Sequence, residues 1–434
     1  MKTIASIIRE KQLNPVIQNR GLVYESEIRN NVQNYQLAKF NRLWADIQRH
    51  IPYYQGMVRD GIVRGEINSW EDFTRFPILS RISIQKDVTK YIDHSHRIAG
   101  WSVTGGSTGT PIRIPYWSSI HKKVMPLAWL GRRFYHIQVS DRMFHLWGHS
   151  HLFGNGLQRY VKQFQRNLKN RLLGYQVFSA YHLTPQRLRL AGKAVIKMRP
   201  DFIVGYSRSL TLLARENEDL ASSFKQLPIK AIIATTEAFN QPGDAEYIEQ
   251  IFGCPVGMEY GTAETGVIAY THPSDQRYRA FWDDYLLEAA PIDGTNTKLL
   301  LTTLYPSAMP LIRYDIGDNV CDYERDKHSI TSFGMVYGRD NDLIELNGRG
   351  YIHPVALMHC FQSQKGVLGI QCVQELDNSV SIDVLCEVAL PEDDELTVRR
   401  NLATLDPLLS QCKFTYVNNL ENTLAGKTKW VIKR

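Results

Sequence analysis

The sequence predicts an α/β protein: a large N-terminal α/β domain with layered sheets and a β-rich subdomain, then a small α+β C-terminal domain. Three observations predict it. Short apolar strands alternate with amphipathic helices through the middle of the chain. From about residue 280 the pattern turns β-rich, in "YLLEAA", "TKLLLTTLY" and "SITSFGMVYGR". A boundary falls after "GRDND" (338–342), and the rest of the chain mixes strands and helices. The expected division is therefore 1–338 and 339–434.

Each element follows from local pattern. Residues 1–55 read as helical, with apolar positions spaced by three and four in "YQLAKFNRLWADIQRHI". "NSWEDFTRFPILSRISIQKD" reads as helix, proline-broken turn and helix. "HKKVMPLAWLGRRFYHI" is helical, "DRMFHLWG" a strand, and "LQRYVKQFQRNLKNRLLGY" an amphipathic basic helix. The stretch 186–217 runs helix, turn, strand and helix. "IKAIIATTE" is a buried strand, followed by the helix "PGDAEYIEQIFG" and the strand "PVGMEYG". In the last part, "VALMHCFQSQ" and "DDELTVRRNLATLD" are helices, and "GIQCVQEL" and "SVSIDVLCEV" strands. No internal repeat or low-complexity tract interrupts the series.

Composition narrows the function classes. The chain is 43% hydrophobic and 22% charged, with a net charge of +7. That mild excess suits an anionic small molecule as well as a nucleic acid, and no clustered basic and aromatic motif favours the latter. The six cysteines (Cys254, Cys321, Cys360, Cys372, Cys386, Cys412) form no CxxC pair and read as reduced packing thiols. "MKTIASIIREKQLN" has too short an apolar stretch for a secretory signal, and no apolar run reaches membrane-spanning length. The expected location is cytoplasmic, as a monomer or homodimer.

Five short stretches carry chemistry. "WSVTGGSTGTPIRIPYW" (101–117) gathers glycines and hydroxyls. It reads either as a surface turn or as a phosphate cradle, and it is neither a Walker loop nor a dinucleotide fingerprint. "MEYGTAETG" (258–266) sets Tyr260 and Gly261 before Glu264; it offers a flat ring and a magnesium-ligating carboxylate, or a strand end and a helix start capped by Thr262. "MPLIRYDIGD" (309–318) ends on Asp318, a ribose acceptor or an ordinary Gly-Asp turn. "YGRDND" places Arg339 at the domain boundary, and "LAGKTKWVIKR" places Lys427 in a basic tail.

In this order and spacing, the five resemble the adenylate-forming ligases, within them the phenylacetate–CoA ligase type, and most closely the branch encoded in capsular-polysaccharide gene clusters. The resemblance runs from about residue 70 to the end. It implies activation of a carboxylic acid with ATP and Mg²⁺, then acyl transfer to coenzyme A or to an amine such as an amino sugar. Thr104, Gly105, Gly106, Ser107, Thr108 and Gly109 would cradle the β- and γ-phosphates. Tyr260 would stack on adenine with Gly261 beside it, and Thr262 would donate to the α-phosphate. Glu264 would hold Mg²⁺, and Asp318 with Arg339 would bind the ribose. Lys427 would reach the α-phosphate from a mobile C-terminal domain that turns at Asn341. The acyl pocket would draw on His149, His151, Tyr206 and Glu237. Thr110 stands where the family often carries a loop lysine, and the lead-in to Lys427 is "ENTLAGK". Cys254 and His272 remain candidates for a structural metal, but Arg279 occupies another ligand position, so no zinc is expected. The alternative is a non-catalytic member that binds nucleotide and acts as a partner protein.

Overall fold

The computed structural model describes residues 2–103, 113–148, 157–236, 239, 243–291, 297–337, 344–346, 351–352, 354–361, 364, 366–386, 388–421 and 430–434. The N-terminal region is helical, as its periodicity predicts: α1 (Ile4–Glu25), α2 (Val32–His50), α3 (Pro52–Arg59), α4 (Trp70–Thr74) and α5 (Arg81–Lys86). Side-chain oxygens of Thr3, Ser69 and Ser80 cap α1, α4 and α5, satisfying backbone N–H groups that have no partner within the helix. Helices α2 and α3 bury an aromatic cluster of Phe40, Trp44 and Tyr54 against Phe73 and Phe76. The side-chain amide of Gln36 ties α2 to the body by donating to the carbonyls of Trp282 and Tyr285.

The middle of the chain alternates. A hairpin of β1 (Gly100–Val103) and β2 (Arg113–Tyr116) leads into α6 (Ile120–Arg133), β3 (Met143–Leu146) and α7 (Leu157–Leu172). Next come β4 (Tyr175–Phe178), β5 (His182–Leu183), α8 (Pro185–Met198), β6 (Phe202–Tyr206), α9 (Ser207–Glu216) and α10 (Ala221–Phe224). Then come β7 (Ala231–Thr235), α11 (Asp244–Phe252) and β8 (Val256–Thr262). The β-rich stretch supplies β9 (Gly266–Thr271), β10 (Tyr278–Ala280), β11 (Tyr285–Pro291), β12 (Thr297–Thr303), β13 (Tyr314–Asp326) and β14 (Ser329–Tyr337).

Among the described residues eleven of these fourteen strands build one sheet, ordered β11-β12-β13-β14-β10-β9-β8-β7-β6-β3-β4. From β4 to β8 neighbours run parallel; from β8 to β11 they run antiparallel. The sequence explains the parallel half. β6 and β7 are buried at every residue, because helices cover both faces. Alternate residues serve alternate cores: Phe202, Val204, Ala231 and Ile233 pack on one side with Leu127 and Trp129 of α6. Ile203, Ile232 and Ala234 pack on the other with Leu188, Val195 and Leu213 of α8 and α9.

The C-terminal part holds β15 (Ile344–Glu345), β16 (Tyr351–Ile352), α12 (Pro354–Phe361), β17 (Val367–Gln374), β18 (Val380–Cys386), α13 (Glu392–Leu405), β19 (Lys413–Val417) and β20 (Val431–Lys433). A four-stranded sheet, β19-β18-β17-β20, packs with α12 and α13 around a core of its own. The α/β body, β-rich stretch and α+β end are thus those that the sequence predicts. The expected boundary at 338/339 lies outside the described residues. β16 pairs with both β15 and β5, so a small sheet joins the two parts. Five cysteines, Cys254, Cys360, Cys372, Cys386 and Cys412, are buried free thiols.

Two local expectations change. The Gly-Asp pair at 317–318 is not a terminal turn: Asp318 lies inside the thirteen-residue strand β13. Gly317 takes φ +83°, and the β12–β13 pairing shifts register between Lys298 and Leu300, so the left-handed glycine marks a bulge within a continuing strand. Nor does a helix start at Thr262: β8 turns at 263–265 into antiparallel β9.

Candidate active site

The site lies where the sheet changes from parallel to antiparallel, on the β8–β9 hairpin. Tyr260, Gly261 and Thr262 end β8, and Glu264 sits in the turn. Gly261 has a steric reason: a Cβ there would stand 2.4 Å from the Gly266 carbonyl oxygen across the hairpin. The Thr262 hydroxyl braces the turn, 3.0 Å from the Thr265 hydroxyl and accepting from the Thr265 N–H at 3.3 Å.

Three more segments converge on this hairpin. The first is the β1–β2 pair, whose last register match, Val103 with Arg113, brackets the glycine and hydroxyl loop. Its Ser102 hydroxyl donates to the Ala263 carbonyl at 3.4 Å, seating the base of the loop on the turn. The second is β13. The Tyr260 hydroxyl donates to Asp318 Oδ2 at 2.8 Å, which joins the two residues expected at the base and the ribose. The Tyr260 ring meets Tyr278 and Phe333 edge-on, at 6.0 and 5.8 Å. The third is the start of α5. Glu264 Oε1 accepts from the Tyr314 hydroxyl at 3.1 Å and lies 3.8 Å from Arg81 Nη1. Backbone bonds between Leu79 and β13, Leu79 N to Arg313 O and Asp315 N to Leu79 O, hold that helix start in place.

A cavity of about 430 Å³ opens between these pieces, with Trp101, Ser102, Glu264, Thr265, Tyr305 and Met309 in its wall. The donor set suits magnesium bound to phosphates. Among the described residues no group of three or more His, Cys, Asp or Glu is arranged for a metal. A single carboxylate such as that of Glu264, a half-buried residue, completed by phosphate oxygens and water, matches how Mg²⁺ is usually held. Of the zinc candidates, His272 Nδ1 contacts the Ser274 hydroxyl at 2.8 Å, and the Cys254 thiol is pushed up to about 12 by burial.

Tyr206 lies apart from the hairpin, at the end of β6, buried with its ring 4.4 Å from Trp147. Its partner across the ladder is Thr235, whose partner in turn is Glu259, so Tyr206 is two strands, about 10 Å, from β8. Thr236 comes next with φ +78°, a conformation that a branched side chain rarely adopts and that tends to mark functional sites. Thr104, Gly105, Gly106, Ser107, Thr108, Gly109, His149, His151, Glu237, Arg339, Asn341 and Lys427 lie outside the described residues.

The sequence reading missed three charged neighbours. Arg81 is one. The others are Arg132 of α6 and Glu259 of β8, 3.8 Å apart beneath the hairpin. Glu259 also accepts from the Thr235 hydroxyl at 3.3 Å and from the Tyr270 hydroxyl. Burial alone would pull the Arg132 guanidinium down, but the facing Tyr270 and Glu259 outweigh it and hold it above its ordinary value. The available signal was a lone carboxylate inside the apolar strand pattern "PVGMEYG".

No protein-family model matches the chain. In sequence it is 22% identical over 414 residues to Protein CapK of Staphylococcus aureus, across 93% of this chain and 89% of that protein. In structure it is similar to 2-hydroxyisobutyryl-CoA ligase in complex with 2-HIB-AMP and CoA in the thioesterification state, with a TM-score of 0.59 and 15% identity over 92% of this chain and 89% of that one. The same ligase in the postadenylation state with R3-HIB-AMP gives a TM-score of 0.55 and 14% identity over the same shares. The chain therefore has the fold of the adenylate-forming ligases.

Proposed function

We propose that this protein activates a carboxylic acid with ATP in an AMP-forming reaction and passes the acyl group to a thiol or an amine. The carrying observation is the convergence on one hairpin: the base of the hydroxyl and glycine loop, the Glu264 carboxylate, and the Tyr260–Asp318 pair. An acid oxygen attacks the α-phosphorus of ATP and the bond to the β-phosphate breaks. Acyl-AMP and pyrophosphate result. The acceptor then attacks the acyl carbon and AMP leaves.

This chain's residues divide the work. Thr104–Gly109 would hold the departing phosphates with backbone N–H groups and hydroxyls. Asp318, already accepting from Tyr260, would accept from the ribose hydroxyls, and Arg339 would assist. Thr262 would turn its hydroxyl from Thr265 to the α-phosphate. Lys427 would bring a flexible point charge to the reacting anions. A magnesium ion held by Glu264 would neutralise phosphate charge during the transfer. Trp147, Tyr206 and Thr235, at the ends of parallel strands, are where α/β sheets commonly take ligands, which supports an acyl pocket there with His149, His151 and Glu237. Residues 339–434 would serve as a lid turning at Asn341. The acceptor is CoA or an amine; the capsular-branch resemblance favours an amino sugar.

Pyrophosphate release with ATP, Mg²⁺ and a panel of aromatic, fatty and amino acids tests the reading. Release should depend on one acid and fall on the order of 10²–10³-fold in Lys427→Ala, the scale of losing one transition-state donor. ATP binding without turnover on any acid, unchanged by the substitution, would instead indicate a nucleotide-binding partner protein.

A further inference from the structure

We propose that α7, extended by the first turns of α1, is a docking surface for an anionic lipid bilayer. Charge is the first half of the case. Over Leu157–Leu172 the helix carries Arg159, Lys162, Arg166, Lys169 and Arg171 and no acidic residue. Strand β4, against which α7 packs, has no charged residue either.

Exposure adds the second half. Every residue from Phe164 to Lys169 is exposed. Within that stretch and its end, Phe164 is 69% exposed, Leu168 48% and Leu172 53%. A spacing of four places the three on one helical face. A bare stripe of Phe and Leu on a protein surface marks an interaction site more often than chance. The stripe continues: the Thr3 hydroxyl donates to the Leu172 carbonyl, which brings the start of α1 alongside, with Ile4 80% and Ile8 52% exposed. Lys2, itself exposed, reaches Asp141, Arg9 lies over the Trp129 ring, and the start of α1 with its exposed Ile4 and Ile8 packs beside the basic helix.

The combination selects the occupant. A second copy would set the exposed Arg166, Lys169 and Arg171 against the same three basic side chains. A nucleic acid would use the charge and leave the stripe wet. An interfacial helix uses both: the stripe enters the headgroup boundary, and the Lys and Arg side chains meet anionic headgroups. Among the described residues no helix is long and apolar enough to cross a membrane, so the surface would lie on the bilayer.

Flotation of the full chain with phosphatidylcholine vesicles, with and without phosphatidylglycerol, tests this. The protein should float with the phosphatidylglycerol vesicles, less so as salt rises, and scarcely with phosphatidylcholine alone. Arg166→Gln/Lys169→Gln/Arg171→Gln should lower partitioning roughly a hundredfold, at the usual worth of a basic residue near an anionic surface. Phe164→Ser/Leu168→Ser should also abolish flotation, with melting temperature and pyrophosphate release unchanged. Absence of flotation with phosphatidylglycerol, flotation of either variant equal to that of the unsubstituted protein, or a solution dimer that Phe164→Ser/Leu168→Ser dissociates would overturn the proposal. The vesicle readout needs no ATP, so its failure and that of the ligase reading are separate events.

Discussion

The two halves of the long sheet place their polar groups differently. In the parallel half, β6 and β7 are buried throughout, and helices close both faces. In the antiparallel half and the hairpin that joins it, carboxylates line the strands and turns: Glu264, Asp318, and Glu288 paired with Arg313. The parallel half is a scaffold whose strand interiors answer to packing, with only its strand ends, Tyr206 and Thr235, offered to the proposed acyl pocket. The antiparallel half carries the groups proposed above to meet a nucleotide. β8 belongs to both, which is why the proposed chemistry collects there.

That contrast can be broken by substitution. The largest expected effect is in the scaffold. Ile232→Ala empties a fully buried position of β7 and should cost about 4 kcal/mol in a denaturant titration. Folded protein should keep its ATP affinity. A loss of affinity matching the loss of stability would mean the halves are not separable.

Asp318→Ala makes the opposite demand. It should raise the KM for ATP by about tenfold or more, the scale of a charge-assisted hydrogen bond, while stability falls by only about 1 kcal/mol as Tyr260 loses its acceptor. A collapse in stability with no change in KM would make the Tyr260–Asp318 bond structural.

The smallest effect lies where the N-terminal helices grip the antiparallel half. Burial works to raise the Asp283 carboxyl, but Lys39 at 2.5 Å and the Tyr35 hydroxyl at 2.7 Å outweigh it and hold its pKa below the ordinary range. A lowered folded pKa gives stability that is present above the unfolded value, near 4, and lost as pH falls through the folded one. Asp283→Asn should therefore cost about 1 kcal/mol at neutral pH, and the gap to wild type should close under acid. A gap that stays constant with pH would assign the loss to packing.

The parallel half was the more legible in sequence, because continuous apolar runs such as "FIVGY" and "AIIAT" leave few alternatives. The antiparallel half was harder. Asp318 reads as a turn because Gly-Asp is locally turn-like, and only pairing with β12 and β14 makes it a strand residue. Tyr260, Glu264 and Asp318 stand out as candidates through the order of their motifs. Their contacts were not, since neither the Tyr260–Asp318 bond nor the reach of Arg81 to Glu264 has a local signature. Arg132 and Glu259 show the same limit: one sits on a helix and one on a strand, and only packing brings them together.

The smallest sheet bears on motion. β5 belongs in sequence to the α/β body, yet it pairs with β16, and the neighbouring Tyr181 is buried in the C-terminal core. If residues 339–434 act as a lid, this stretch is a latch across the seam. Opening must either unzip two residues of ladder and pull a tyrosine from its socket, or carry 181–183 along as a tether. The first makes opening a discrete, activated event. The second limits how far the lid can swing.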